Sequence, residues 1–163
     1  AKYKIKGSFG HPVPVVDGKT QSAGSKAKAI VLRKEFTEEK DLFSIDYTSA
    51  YSTPNLDKLI RTFVYDRQGE GSFTVSDEFT ANAPIRFETA VTTQADWKVL
   101  DDTRLLLTSG TEQMIVNIEA SGKVAFTSET IEVNAPAYTR IGIALKEQAA
   151  KGYIRLKMQA KQL

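Results

Sequence analysis

The sequence predicts an all-β protein, a single-domain antiparallel β-sandwich of about ten or more strands. Apolar and polar residues alternate with a period of two along most of the 163 residues, which is the pattern of strands with one buried face. Turn-forming residues recur between the alternating runs,. Helical spacing is nearly absent, and many short strands separated by turns are typical of a sandwich or a barrel.

The predicted strands are runs in which β-branched or aromatic residues occupy every second position. Phe43, Ile45 and Tyr47 alternate with polar residues in one run, and residues 85–92 alternate in the same way in another. Such strands bury one face and leave the other to solvent, as antiparallel sheets allow. Comparable runs occupy 27–36, 57–66, 72–80, 112–119, 123–133, 137–145 and 153–160.

Glycine, proline and asparagine mark the turns between these runs. Gly69 and Gly71 can supply the positive φ angles of a tight reversal, and Pro84 and Pro136 suit the first residue of a strand. Only residues 145–151 have helical preference, and they are too few for more than one or two turns. The expected turns are 66–71, 82–84, 120–122 and 134–136.

The charges of the chain are nearly balanced. It has 22 basic and 20 acidic residues, a net charge of +2, and no block of like charges. We therefore expect no nucleic-acid partner. Lys2, Lys4 and Lys6 would share one face of a strand, where a solvated surface is favoured over a contact with a polyanion.

Cysteine and long apolar runs are both missing from the sequence. Without cysteine the chain has no disulfide, thiol nucleophile or zinc–thiolate site. No run of about 18 apolar residues occurs, so we expect no membrane span. The first residues lack the apolar region of a signal peptide and alternate like the middle of a strand. We therefore expect this chain to have been excised from a longer one.

His11 is the only histidine in the sequence. Catalytic zinc sites commonly use two or three histidines, so this chain cannot assemble a complete one by itself. A Ser-His-Asp triad that includes Ser8 is formally possible, but no nucleophile-elbow motif accompanies it. Pro12 favours an extended backbone at His11. The residues alone favour an exposed loop histidine over a metal ligand.

Other candidate residues have ordinary explanations. Asp77 and Glu78 would point to opposite faces of a strand, and Asp101 and Asp102 lie where a turn is expected. Neither pair indicates the carboxylates of a glycosidase. Trp97 is the only tryptophan. It could form a platform for a sugar ring, although a place in the core is favoured.

Residues 7–24 read GSFGHPVPVVDGKTQSAG. Here a lead rich in serine, phenylalanine and glycine precedes a histidine, a hydrophobic strand and a V-x-G-K-x-Q turn. This stretch resembles the signature of heparinase II/III-like polysaccharide lyases, in their C-terminal β-sandwich region. Further matching pieces follow in order at 27–32, 45–51, 59–67, 73–79 and 138–145.

The resemblance implies an architecture and an activity. Members of that family join an N-terminal α/α toroid, which carries most of the substrate cleft, to a C-terminal β-sandwich. They cleave uronic-acid-containing polysaccharides, such as heparin, heparan or alginate, by β-elimination. Residues 1–163 resemble the sandwich alone, so we expect a supporting domain that is inactive by itself, with the toroid and an acidic polysaccharide as partners. No catalytic residue is assigned, the substrate-binding residues are unknown, and whether to call the chain an enzyme stays open.

The resemblance also gives His11 a role. Members hold a zinc ion through two histidines and an acid, and His11 matches the last histidine of that set. Its partners would precede Ala1, so zinc is expected in the full-length protein and no cofactor in this piece alone. Pro12 stands where many members have asparagine, and members acting on alginate-like substrates share the proline. Periplasmic or secreted localisation in a bacterium follows from the polymeric substrate.

Two alternatives to the lyase domain stay open. One is an independent carbohydrate-binding module, which needs an exposed aromatic platform such as Trp97 or a polar groove. The other is a structural or adhesive sandwich that binds no sugar.

Overall fold

Two antiparallel sheets pack face to face in the computed structural model, which describes residues 6–132 and 136–161. The predicted all-β sandwich is confirmed. Short 3₁₀ turns occupy Ser8–Gly10 and Thr48–Ala50. The described residues form twelve strands: β1 (Val15–Val16), β2 (Ile30–Phe36), β3 (Lys40–Asp46), β4 (Leu56–Asp66), β5 (Ser72–Ile85), β6 (Phe87–Thr93), β7 (Asp96–Asp101), β8 (Arg104–Ser109), β9 (Glu112–Ala120), β10 (Val124–Ile131), β11 (Tyr138–Leu145) and β12 (Ala149–Ala160).

The two sheets differ in width. The smaller has four strands in the order β1-β6-β11-β10, and the larger has eight in the order β2-β3-β4-β5-β12-β9-β8-β7. Antiparallel hairpins link most sequence neighbours, and the chain changes sheet between β1 and β2, β5 and β6, β6 and β7, β9 and β10, and β11 and β12. No helix in the described part of the chain is long and apolar enough to cross a membrane.

The core lies between the sheets and is built from alternate strand positions. Phe79 of the large sheet and Phe87 of the small sheet stack with their ring centroids 4.4 Å apart. This pair joins the two layers at one end of the sandwich. Other fully buried side chains from both sheets are Leu59, Ile85, Leu105, Val116, Ile141, Ile143, Ile154 and Leu156.

Residues 82–84 are not the turn that the sequence predicts, because β5 continues through them to Ile85. Pairing with β4 ends at Ala81, and the register with β12 shifts between Ala149 and Lys151. Pro84 therefore lies in a bulge, where no ladder hydrogen bond needs its missing N–H group.

Residues 145–151 form no helix, because β11 ends at Leu145 and β12 begins at Ala149. The amide of Lys146 donates to the carbonyl of Lys123 at 2.8 Å, so the short connection is held by the neighbouring hairpin. Pairing in the sheet outweighs the weak helical preference of this segment.

The hairpin of β7 and β8 is absent from the predicted runs. Asp101 and Asp102 lie at its turn, as expected from the sequence. Leu105, Leu106 and Leu107 of β8 follow one another without polar residues between them, so no alternation marks the strand. Of the expected turn at 134–136, residues 134 and 135 lie outside the described residues.

Candidate functional site around His11

His11 lies between the 3₁₀ turn Ser8–Gly10 and β1. The amide of His11 donates to the carbonyl of Ser8 at 3.1 Å and closes that turn. The backbone of His11 is extended, with φ −116° and ψ 160°, as the following proline predicts. Its side chain is exposed.

Two tyrosines hold the ends of the segment Gly10–Pro14. The hydroxyl of Tyr138 in β11 donates to the carbonyl of Gly10 at 2.5 Å. The buried hydroxyl of Tyr51 donates to the carbonyl of Pro14 at 2.8 Å. Both donors are far away in the sequence, so the segment is held by tertiary structure and not by local turns alone.

Two arginines hold the middle of the same segment. Arg61 Nη1 donates to the carbonyl of Pro12 at 2.7 Å, and Arg140 Nη2 donates to that of Val13 at 3.4 Å. The His11 carbonyl accepts the Val13 amide at 2.8 Å, so every carbonyl from residue 10 to residue 14 has a donor. The prolines of this segment have no N–H group for a ladder, and the side-chain donors take the place of a partner strand.

Arg61 is held in turn by a buried carboxylate. Its Nε and Nη2 atoms each lie 2.7 Å from an oxygen of Asp77, which gives a bidentate pair. The Asp77 side chain is 1% exposed. Tyr47 and Thr89 donate their hydroxyls to the same carboxylate, each at 2.7 Å. Thr89 belongs to the small sheet, so this network ties the two sheets together beneath the His11 segment.

The pKa shifts in this network favour fixed hydrogen bonds over proton transfer. Burial, and then the negative charge of Asp77, raise the pKa of Tyr47 well above its usual value. The same two causes raise the pKa of Tyr51. Burial by itself would lower the pKa of Arg61, but the charge and hydrogen bonds of Asp77 outweigh it and the pKa is raised. At neutral pH both tyrosines remain donors and Arg61 remains a cation.

Arg140 is a second buried arginine close to the segment and pairs with the partly exposed Glu88. Its Nη1 lies 2.6 Å from Glu88 Oε1, and its side chain is 2% exposed. The guanidinium carbon lies 4.4 Å from the centre of the Phe9 ring. Its Nε has no hydrogen-bond partner among the described residues. Arg140 thus packs the turn before His11 against β6 and β11.

A cleft of about 360 Å³ opens beside His11. It is lined by the segment itself and by the ends of β6 and β11, including Gln94 and Tyr138. The described residues contain no group of three or more His, Cys, Asp or Glu side chains that could hold a metal ion. These residues alone therefore do not fit a zinc ion, and a site there would need ligands from outside them.

The remaining candidate residues keep ordinary roles. Asp77 is buried and Glu78 is exposed, as their opposite directions predict. Ser8 Oγ accepts the amide of Gln21 at 2.9 Å. Trp97 is half-buried and packs against the core, as favoured from the sequence. Of the predicted lysine stripe, Lys2 and Lys4 lie outside the described residues.

Arg61 was not singled out from the sequence as an anchor of His11, and Asp77 was given only the ordinary role of a strand residue. Arg61 follows Leu59 and precedes Phe63 on the apolar parity of β4, and Asp77 stands two residues before Phe79 on that of β5. Opposite charges at core positions of successive strands are the signal that could have found them.

No family model matches the sequence, and no curated protein matches it. Solved structures do match the fold. Heparinase III matches with a TM-score of 0.70 at 18% identity, over 92% of this chain and 23% of its own. The heparan sulfate lyase HepC from Pedobacter heparinus matches with a TM-score of 0.72 at 15% identity, over 94% of this chain and 24% of its own.

This chain has the fold of one part of heparinase III. The likeness agrees with the family resemblance of residues 7–24, and at these identities it concerns the fold alone. The chain spans about a quarter of the length of the structures it matches.

Proposed function

We propose that this chain is the β-sandwich domain of a polysaccharide lyase that acts on an acidic, uronic-acid-containing polysaccharide. The observation that carries the proposal is the fold likeness over 92% of the chain to heparinase III. The match covers 23% of that structure, which supports a further domain in the same natural chain. We place the reaction in that further part, predicted to be an α/α toroid.

The chemistry of the described residues supports this division of labour. β-Elimination needs a base that removes the proton beside the uronate carboxylate and an acid that protonates the leaving oxygen. Asp77 is enclosed by four donated hydrogen bonds, and Tyr47 is one of its donors. Groups held in this way support the fold and are not free to exchange protons with a substrate.

The proposal is tested by comparing the longer natural chain with the 163-residue chain. Each is incubated with heparan sulfate, heparin and alginate, and the unsaturated uronate product is followed by its ultraviolet absorbance. We expect product from the longer chain on at least one substrate and none from the 163-residue chain. A native polypeptide with a mass near 18.0 kDa, or a longer chain that forms no unsaturated product, contradicts the proposal.

We further propose His11 as one zinc ligand in the longer chain. Its support is the placement of an exposed imidazole on a segment whose carbonyls are all held, so that the ring starts from a fixed backbone. Zinc titration of the longer chain with His11→Ala tests the assignment, and Gln94→Ala in the same cleft is the matched control. We expect weaker zinc binding only for His11→Ala, and equal affinities for the two variants contradict the assignment.

The substrate class bears on where the protein acts. Polymeric polysaccharides are too large to cross a membrane, so the proposal places the protein in the periplasm or outside the cell. Cell fractionation with an antibody against residues 6–132 tests this localisation, and recovery of the protein in the cytoplasmic fraction alone contradicts it.

A further inference from the structure

Three adjoining clefts form a trough at one end of the sandwich. The first, of about 350 Å³, crosses β4, β5 and β12 on the large sheet. The second, of about 370 Å³, shares Ser121 and Lys151 with the first. The third, of about 250 Å³, shares Leu145 and Lys146 with the second and reaches the small sheet. We call this continuous depression the basic trough, after its cations Lys58, Lys151, Lys123, Lys146 and Arg86.

The trough concentrates unpaired positive charge. Its five cationic side chains are exposed, and none of them has an ion-pair partner among the described residues. Of the acids that line it, Glu88 is already neutralised by Arg140 at 2.6 Å, which leaves Glu78 and Glu147.

The floor of the trough is apolar and open. The half-buried side chains of Ile60 and Tyr153 supply its accessible apolar surface in the first cleft, beside the buried Phe79. Gly152 lines the first cleft and has no room for a Cβ atom, which would come within 2.6 Å of Ser121 Oγ and 3.0 Å of the Phe79 ring. An apolar floor with charged groups along its rim suits a ligand with flat C–H faces and anionic substituents.

The basic trough and the His11 cleft lie at opposite ends of the same strands. β6 begins beside the trough at Phe87 and ends at the His11 cleft at Thr93, and β11 runs the other way. Six residues of strand separate the two sites by about 20 Å. The trough is therefore a separate site from the candidate metal position.

We propose that the basic trough binds a stretch of linear acidic polysaccharide, with its carboxylate or sulfate groups against the lysines. The choice of polysaccharide rests on the proposed function. Five cations spread over three clefts suit a polymer better than a small anion, and they attract it before contact. Nucleic acid is the competing polyanion, because the half-buried Tyr153 ring in the first cleft offers a face to a base as well as to a sugar,. Titration with single-stranded DNA separates the two.

Paired lysine substitutions test the proposal on the 163-residue chain. Lys58→Ser/Lys151→Ser and Lys123→Ser/Lys146→Ser each remove two cations from the trough. Lys34→Ser/Lys98→Ser is the matched control, because it removes two exposed lysines from the outer strands β2 and β7. Binding of heparan sulfate, alginate, neutral dextran and single-stranded DNA is measured by titration calorimetry at about 50 and about 150 mM salt.

We expect the wild-type chain to bind an acidic polysaccharide and not dextran, with weaker binding at higher salt. An exposed ion pair contributes roughly threefold in affinity, so each trough variant should bind about tenfold more weakly. The control should stay within about twofold of wild type. Binding of alginate as well as heparan sulfate supports recognition of carboxylate, and binding of heparan sulfate alone supports recognition of sulfate.

Three results overturn the proposal: no binding of either acidic polysaccharide, equal losses in the trough and control variants, or tighter binding of DNA through the same lysines. These readouts are separate from lyase activity. If the chain binds at the trough but its longer form yields no unsaturated product, the proposed binding site stands and the proposed lyase function is contradicted. If the longer form is active but the chain does not bind at the trough, the lyase function stands and the proposed binding site is contradicted.

Discussion

Arg61 and Asp77 show how two opposite charges are accommodated in the core of a sandwich, because each has hydrogen-bond partners there. The carboxylate of Asp77 receives two hydrogen bonds from Arg61 and one each from Tyr47 and Thr89. Arg61 uses its remaining terminal nitrogen on the carbonyl of Pro12. The pair therefore links the core to the segment that carries His11.

Asp77→Ala should destabilise the fold strongly. The substitution leaves the Arg61 guanidinium buried without its counter-charge, and breaking a buried pair in this way costs about 3–5 kcal/mol. Urea unfolding measures the loss. Asp101→Ala is the control, because its ion pair with Arg104 is exposed, and its unfolding midpoint should stay close to that of wild type.

The double variant Arg61→Met/Asp77→Leu separates pairing from packing. It removes both charges and should be more stable than Asp77→Ala, because no buried charge remains unpaired. If Asp77→Ala unfolds at the same urea concentration as Asp101→Ala, the buried pair is not what holds this part of the core.

Tyr47 should make the fold sensitive to alkaline pH. Burial and Asp77 raise its pKa in the folded protein above the value of about 10 that a tyrosine has in an unfolded chain. The folded state therefore binds the phenolic proton more tightly than the unfolded state does. The stabilisation is complete below about pH 10 and is lost above it, at up to about 1.4 kcal/mol per pH unit. Free energies of unfolding between about pH 9 and about pH 11 should fall less steeply for Tyr47→Phe than for wild type. Parallel curves for the two proteins contradict this linkage.

The sequence indicates the candidate site only in part. His11 stands out because it is the only histidine, and Pro12 predicts its extended backbone, which the structure confirms. The anchoring by Arg61 and Arg140 could not be read in the same way. These residues meet the His11 segment from strands about 50 and 130 positions away, and a period of two gives the face of a residue but not its partner across the sandwich.

At the scale of elements, alternation is a good guide to strands that have one clearly buried face. β4, β6, β9, β11 and β12 all fall on predicted runs. β7 and β8 were missed because Leu105, Leu106 and Leu107 follow one another in β8 without alternation. Position at an edge is not the cause, because the exposed edge strand β2 falls on a predicted run. The turn predicted at residues 82–84 was wrong because proline is also compatible with a bulge.

Gly142 is a strand position at which a side chain has no room. A Cβ atom there would lie 2.4 Å from Thr127 Oγ1 and 2.8 Å from Glu88 Oε1. Glu88 cannot move away freely, because it pairs with the buried Arg140 at 2.6 Å. Gly142→Ala should therefore lower the free energy of unfolding by about 1–3 kcal/mol.

Gly122→Ala is the matched control for that substitution. A Cβ atom at Gly122 would meet only the Leu145 side chain, at the ordinary distance of 4.0 Å. Thermal unfolding of the two variants checks the prediction. A smaller loss for Gly142→Ala than for Gly122→Ala would show that the strands move apart to accept the methyl group.

At the scale of the whole molecule, the unequal widths of the sheets leave part of the inner face uncovered. The four-stranded sheet covers Leu59 and Phe79 of the eight-stranded sheet. Phe36 and Phe73 point to the same side but remain 66% and 39% exposed. Phe73 continues a row of stacked rings through Phe63, with centroids 6.3 Å apart. The large sheet therefore carries an apolar surface that its own partner sheet does not reach.

This uncovered surface should bind a hydrophobic dye in the folded state. Phe36→Ser/Phe73→Ser should reduce the fluorescence of the dye, because contiguous apolar surface is what such dyes and protein partners bind. The free energy of unfolding should fall by less than the roughly 3–5 kcal/mol expected for a core change such as Phe79→Ala. Ile30→Ser/Leu100→Ser removes two exposed apolar side chains from opposite edges of the sheet. If this control pair reduces the fluorescence as much as the phenylalanine pair, Phe36 and Phe73 do not form a distinct binding surface. The dye then binds to scattered apolar side chains.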